Sequence, residues 1–113
     1  MSLQNLPPSV LKKMIGSSTS VDYYKAFAGN DTLTIPAKPG RARLSVELES
    51  TGTGYVLVTF DGTTPDTTNF ALRLDSPSDP GRSGILYEVR PPPGTVLIFA
   101  PAGQTPVVAV EEG

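Results

Sequence analysis

The sequence contains no cysteine, no histidine and no tryptophan among its 113 residues. Without cysteine, the chain has neither a disulfide framework nor thiolate chemistry. Without histidine, it has no Ser–His–Asp triad, no imidazole ligand for a metal and no side chain that ordinarily titrates near neutral pH. Charged residues make up only 18%, whereas there are 11 glycines and 12 prolines. The composition therefore indicates a single turn-rich domain with little ionisable chemistry.

Charge is distributed unevenly around a formal net value of −2. Lys12, Lys13 and Lys25 outweigh Asp22 in residues 1–30, so this part is mildly basic and the remainder mildly acidic. No run of four basic residues occurs, which argues against a nucleic-acid partner. The apolar runs are too short for a spanning helix, and the start of the chain lacks the apolar core of a signal peptide. We therefore expect no membrane partner and synthesis in a cytoplasm.

Residues 1–20 differ from the rest of the chain and are predicted to form an N-terminal arm. Val10, Leu11, Met14 and Ile15 follow two prolines at helical spacing, which predicts a short amphipathic helix. So short a helix is marginal in isolation, so an arm of this kind, helical or extended, must pack on its own body or on a partner. Residues 21–113 are predicted to form one β domain.

Beyond the arm, the apolar pattern changes to the period of two that is typical of half-buried strands. In Arg41–Glu49, we predict that Ala42, Leu44, Val46 and Leu48 face the core and that Arg41, Arg43, Ser45, Glu47 and Glu49 face water. The segments Asn69–Leu74 and Ile85–Val89 repeat the alternation. Their predicted inward residues are Phe70, Leu72, Leu74, Ile85, Tyr87 and Val89.

Two segments, Tyr55–Phe60 and Thr95–Ala100, are apolar on both faces. They are predicted to be central strands or strands that meet a second surface. Val21–Phe27, Thr32–Ile35 and Val107–Val110 complete the predicted strands, and Gly- and Pro-rich turns separate them. The sequence thus predicts an all-β fold, either an antiparallel, jelly-roll-like β-sandwich or a small barrel, with seven or eight strands in an order that the pattern leaves open.

Residues Phe60–Thr68 (FDGTTPDTT) hold the most distinctive local pattern. Asp-Gly predicts a tight turn in which Gly62 adopts a positive φ and the Asp61 side chain accepts hydrogen bonds from the following amides. A Ca²⁺ site built on Asp61 and Asp66 is the alternative, but two carboxylates are few for that ion and their spacing matches no EF-hand. We expect a capped turn, and neither a metal nor any other cofactor.

The carboxylates lie mostly in predicted loops or on wet strand faces, so none is predicted to be buried as a catalytic acid would be, and no phosphate-binding glycine loop is present. We therefore expect no enzyme activity and no catalytic residues. Adjacent Tyr23 and Tyr24 must point to opposite faces of a strand, one into the core and one outward. The candidate partner-contact residues are Val10, Leu11, Met14, Ile15 and Tyr24, together with Asp79 and Arg82 of a long polar loop.

The pattern from Tyr55 to Pro65 (YVLVTFDGTTP), followed by Leu72, Gly84–Val89, Val96–Ala100 and Val107–Glu111, resembles small accessory virion proteins of tailed bacteriophages. In those proteins a strand ends in an Asp-Gly-Ser/Thr-x-Pro turn. The resemblance implies a structural protein of the virion, made in the cytoplasm of the bacterial host. It implies decoration or stabilisation of the capsid, or a place in the neck or tail, through homo-oligomeric contacts and contacts with other virion proteins.

The same strand and turn are similar to β-sandwich modules appended to chitin- and hexosamine-processing enzymes. This second resemblance implies a carbohydrate-binding or adhesin-like module as the alternative. Tyr24 and Tyr87 would then be candidates for stacking on a sugar, since tyrosine offers an apolar face and a polar tip. The chain departs from those modules because it has no tryptophan and carries an N-terminal arm.

Overall fold

The computed structural model describes residues 21–77 and 83–113. This part of the chain consists of eight β-strands joined by loops, and it contains no helix. The strands are β1 (Val21–Ala26), β2 (Asp31–Ile35), β3 (Leu44–Leu48), β4 (Tyr55–Thr59), β5 (Leu72–Asp75), β6 (Ser83–Tyr87), β7 (Val96–Ala100) and β8 (Val107–Glu112). Each corresponds to a strand predicted from the sequence, with ends shifted by up to three residues.

The strands form two four-stranded antiparallel sheets. Sheet A has the order β1-β8-β3-β6, and sheet B has the order β2-β7-β4-β5. The first strand pairs with the last, the second with the seventh, the third with the sixth and the fourth with the fifth. The chain is therefore one long hairpin rolled into two layers, which is the strand order of a jelly roll. The predicted antiparallel sandwich is confirmed, and the barrel alternative is wrong because the two sheets stay separate.

The core lies between the sheets and is built mainly from the central strands. Its fully buried side chains include Leu44, Val46 and Leu48 of β3, Val108 and Val110 of β8, Val96 and Ile98 of β7, and Val56 and Val58 of β4. Most are β-branched aliphatic residues, which suit a pleated surface. Burying each such side chain stabilises the fold by about 1.5–3 kcal/mol.

Four of the predicted facings are wrong, and all four residues lie beyond strand ends. Arg41 was expected to face water but is only 5% exposed, whereas Ala42 is exposed. Phe70 and Val89 were expected to point inward but are 46% and 79% exposed. The alternation fails because β3 begins at Leu44, β5 begins at Leu72 and β6 ends at Tyr87, so loop geometry sets the direction of these side chains.

The prediction for the two adjacent tyrosines is confirmed. Tyr23 packs against the core, and Tyr24 is 49% exposed on the outer face of sheet A. Burial is the main cause that raises the pKa of both phenols. A bulge between Val21 and Tyr23 breaks the register of β1 with β8 just before this pair.

Candidate functional site

The two sheets differ in the residues that their central strands turn away from the core. On β4 and β7 these residues are Tyr55, Leu57, Thr59, Leu97 and Phe99. On β3 and β8 they are Ser45, Glu47, Val107, Ala109 and Glu111. An antiparallel sheet with one face in water normally places polar residues on that face. Sheet A follows this rule in part, with a serine and two glutamates, whereas sheet B does not.

We call Tyr55, Leu57, Leu97 and Phe99 the sheet B outer face. Leu57 and Phe99 are paired across β4 and β7, so their side chains are neighbours. Leu57 is only 2% exposed although it lies outside the core between the sheets. The strand β2 borders these residues with Thr32 and Thr34, which pair with Phe99 and Leu97. The half-buried Tyr55, Leu97 and Phe99 therefore surround Leu57 and give the two central strands an apolar outer face.

Charge on this face is confined to its β5 border. Arg73 places its guanidinium 3.8 Å from the centre of the Tyr55 ring and donates to Asp75 Oδ1 from Nε and Nη2, at 3.2 and 3.0 Å. The hydrogen bond to Asp75 is the main cause that raises the pKa of Arg73. Leu97 and Phe99 lie on β7, which β4 separates from this ion pair.

On sheet A, the exposed Tyr24 makes a side-chain hydrogen bond within the chain. Its hydroxyl donates to Glu49 Oε2 at 3.1 Å. Since Tyr24 lies on β1 and Glu49 follows β3, with β8 between those two strands, this bond crosses the outer face of β8. Tyr24 is therefore exposed, as a contact residue must be, but it also has an intramolecular role.

The β1 and β2 edges of the sandwich are joined by an ion pair. Lys25 shares a register row with buried Val108, and its Nζ lies 2.8 Å from Asp31 Oδ2 and 5.4 Å from the centre of the Phe27 ring. The hydrogen bond from Lys25 is the main cause that lowers the pKa of Asp31. The Lys25 side chain leaves an edge strand on the core-facing side. An inward-pointing charge of this kind, together with the bulge in β1, discourages another strand from pairing there.

The opposite side of the sandwich, where β5 lies next to β6, is protected unequally. β5 has four residues, and Arg73 and Asp75 are among them. β6 has the sequence SGILY, with neither a charge nor a proline. Leu86 of β6 is 51% exposed, and Val89 beyond its end is more exposed still.

A shallow cleft of about 290 Å³ opens where β4 ends and the chain approaches β5. Its lining residues are Thr59, Phe60, Asp61, Asn69, Phe70 and Ala71. Phe60 meets Tyr87 edge to face, with ring centres 5.9 Å apart, so the cleft adjoins the β6 side of the sandwich. Exposed Phe70 stands in this cleft beside a carboxylate and an amide.

The Asp-Gly turn has the predicted geometry. Gly62 has a φ of +81°, and Asp61 Oδ1 accepts from the amide and hydroxyl of Thr63 at 3.1 and 2.5 Å. Asp66 Oδ1 accepts in the same way from Thr68, at 2.7 and 2.8 Å. The hydroxyl hydrogen bonds are the main cause that lowers the pKa of both carboxylates.

Within residues 21–77 and 83–113, no group of three or more acidic, histidine or cysteine side chains is placed to hold a metal ion. Asp61 and Asp66 each bind the backbone and hydroxyl of their own turn. The capped-turn interpretation accounts for both residues.

A buried arginine connects three segments at one end of the sandwich. The sequence pattern had predicted that this residue, Arg41, would face water. Arg41 has a fully buried side chain and donates from Nε to Glu112 Oε2 at 2.9 Å. Its other nitrogens donate to the carbonyl oxygens of Pro36 at 2.9 Å, Gly94 at 3.2 Å and Pro92. Three segments distant in sequence therefore meet on one side chain.

Of the seven predicted contact residues, Tyr24 alone lies in the described part of the chain. Val10, Leu11, Met14, Ile15, Asp79 and Arg82 fall outside it. No residue of the sheet B outer face is among the contacts predicted from the sequence. The signal was present, because Tyr55–Phe60 and Thr95–Ala100 were recognised as apolar on both faces.

No protein-family model, curated protein or solved structure matches this chain. No helix in the described residues is long and apolar enough to cross a membrane.

Proposed function

We propose that this chain is a non-enzymatic assembly protein that works through protein–protein contacts, as a homo-oligomer and with other proteins of a phage virion. The observation that carries this proposal is the sheet B outer face. A two-layer sandwich needs one apolar face on each sheet to build its core. Leu97 and Phe99 are half-buried apolar side chains that the core does not use, and a second surface would bury the rest of them over the already buried Leu57.

The chemistry of this face suits the centre of a protein interface. Interface centres are depleted in charge and enriched in aromatic residues. Phe99 and Tyr55 supply rings, Leu57 and Leu97 fill the space between them, and the Arg73–Asp75 pair stands at the rim. An apolar centre with a polar border is the arrangement expected of a contact that excludes water.

The place of this assembly in a virion rests on the sequence resemblance, through the strand that ends in Asp61-Gly62 and the strands that follow it. The jelly-roll order is compatible with it, because capsid domains use that order, but lectins use it as well. Fold alone does not determine function. The arm of residues 1–20 belongs to the proposal as a second contact, through Val10, Leu11, Met14 and Ile15.

The test is the mass of the full chain in solution, measured by light scattering over a range of concentrations. We expect a defined oligomer that Phe99→Ser dissociates, because this substitution removes the largest apolar side chain of the sheet B outer face. The matched control is Val107→Ser, which removes an apolar side chain from the outer face of sheet A. Circular dichroism of both variants establishes that the fold is retained.

Two results would overturn the proposal. The first is a full chain that stays monomeric and also fails to bind purified phage particles that lack it. The second is an oligomer whose mass Phe99→Ser and Val107→Ser leave equally unchanged, because the sheet B outer face would then have no part in assembly.

One observation favours a carbohydrate-binding module as a second candidate, namely the cleft beside Phe70. A sugar ring stacks on an exposed aromatic face while its hydroxyls bond to neighbouring polar groups, and Asp61 and Asn69 stand next to Phe70. Tyr87 is a poorer platform, because it packs against Phe60. A monomer that binds a glycan saturably, and loses that binding on Phe70→Ala, would replace the assembly proposal with this one.

A further inference from the structure

The sandwich has four edge strands, and β6 differs from the other three because the strand itself contains no charge, proline or bulge. An edge strand directs alternate N–H and C=O groups away from its sheet, where they can pair with a further strand. Proteins block such pairing with charges, prolines, bulges or very short edge strands.

The β1 edge has a bulge and a lysine, Lys25, on the core-facing side of the strand. The β2 edge carries Asp31, which binds Lys25, and β2 is followed at once by Pro36. The β5 edge has only four residues, and Arg73 and Asp75 are ion-paired on it. Each of these edges therefore has at least one feature that opposes strand addition.

Within the strand itself, the β6 edge has none of these features, and the first charge after it is Glu88. Ser83–Tyr87 is uncharged and free of proline, and it pairs with β3 in an unbroken register over five residues. The backbone hydrogen bonds that the described residues make outside the strand pairs do not involve β6. Within residues 21–77 and 83–113, no backbone group outside β3 pairs with β6.

Exposed apolar side chains surround the same edge. In the described residues the exposed large hydrophobics are Tyr24, Phe70, Leu86 and Val89. Leu86 lies on β6, Val89 follows its end, and Phe70 lines a cleft with Phe60, which contacts Tyr87 of β6. Three of the four thus lie on or beside the β6 side of the sandwich, whereas Tyr24 lies on β1 at the other edge of sheet A.

We propose that β6 is the site at which two copies of this chain pair, so that sheet A continues antiparallel across a two-fold axis into the partner. The inference rests on the proposed assembly function and names one of its contacts. An isologous contact places the same strand opposite itself, so any charge on the strand would face a like charge near the axis. An uncharged strand avoids that repulsion, and two copies of Leu86 gain burial together.

The first test changes the edge without touching the core. Leu86→Lys introduces the kind of residue that blocks edge pairing in natural sheets. We expect it to raise the dissociation constant of the β6 contact about 100-fold, about tenfold for each of the two altered side chains. The matched control is Ala26→Lys, on the same face of sheet A but at its opposite edge, and it should leave the mass unchanged.

The second test exploits the absence of native cysteine and does not depend on a disruptive charge. Leu86→Cys in the full chain should be joined into a covalent dimer by a short thiol-reactive cross-linker, because opposite or diagonal side chains in an antiparallel pair lie about 4.5–8 Å apart. Ala26→Cys should remain uncross-linked. Every cross-linked product reports on the introduced residue, since the chain has no other thiol.

The outcomes separate the two proposals. An oligomer whose mass Leu86→Lys halves, together with a Leu86→Cys dimer, supports pairing through β6. An oligomer that Leu86→Lys leaves intact, with no cross-link at Leu86→Cys, overturns the β6 contact but leaves the assembly function standing. A full chain that is monomeric at every concentration and does not bind phage particles overturns both.

Discussion

Replacing Arg41 with methionine should destabilise the whole sandwich. Methionine fills similar space but donates no hydrogen bond, so the Glu112 carboxylate and the carbonyls of Pro36, Pro92 and Gly94 all lose a donor. The Arg41 side chain is fully buried and that of Glu112 is 13% exposed, so water can replace little of what is lost. Removing one partner of a buried ion pair costs about 3–5 kcal/mol.

That loss is a large share of the stability of a small domain, which is about 5–15 kcal/mol. At about 4 °C for each kcal/mol, the midpoint of thermal unfolding should fall by about 12–20 °C. Glu112→Gln should have a smaller effect than Arg41→Met, because the guanidinium then keeps its three carbonyl acceptors. Urea unfolding followed by circular dichroism gives the same free energies independently.

Arg73→Met is the matched control, because it removes an arginine whose ion pair is exposed on both sides. Exposed pairs contribute little to stability, so its midpoint should stay close to that of the unaltered chain. The reasoning fails if Arg41→Met unfolds within about 1 kcal/mol of the unaltered chain, since the contacts of Arg41 would then be replaceable.

Two further predictions concern the turns. Gly52→Ala should destabilise the fold by about 1–3 kcal/mol in urea unfolding, because the added Cβ would collide with the Val107 backbone nitrogen, whereas Gly40→Ala meets nothing within 4 Å and should be neutral. The folded pKa values of Asp61 and Asp66 lie below the ordinary 3.8, so the stability they contribute is present above that pH and is lost as the pH falls through the folded values. Replacing both with asparagine should flatten the decline of the unfolding midpoint below about pH 4, and an unchanged decline would contradict this.

The strands could be predicted because each is a local pattern. A period of two places Leu44, Val46 and Leu48 on one face of a strand whatever its partners are. The segments that became β4 and β7 are apolar on both faces, which indicated central strands or strands that meet a second surface, and both strands are central in sheet B. The sheet order could not be predicted, because β1 pairs with β8 across most of the chain and no local residue specifies that pairing. Strand ends were also uncertain, which is why Phe70 and Val89 were assigned to the wrong face.

Arg41 escaped prediction for a related reason. Its acceptors are carbonyls of Pro36, Pro92 and Gly94, and nothing in the sequence near Arg41 indicates that these loops converge on it. A lone arginine at the start of an amphipathic strand is ordinarily solvated. The uncharged edge could not be predicted either. The lack of charge in β6 is unusual only for an edge strand, and the sequence does not indicate that β6 lies at the edge of sheet A.

The two proposed contacts lie on different sheets, and this limits the assemblies that the chain could form. Pairing through β6 is isologous and by itself stops at a dimer. If the sheet B outer face meets a different surface of the next copy, that contact is heterologous and gives a ring or an open array. Together they would produce stacked rings with an even number of copies, or a lattice. Leu86→Lys and Phe99→Ser should therefore yield different residual species: a single ring or open array for Leu86→Lys, and an isolated dimer for Phe99→Ser.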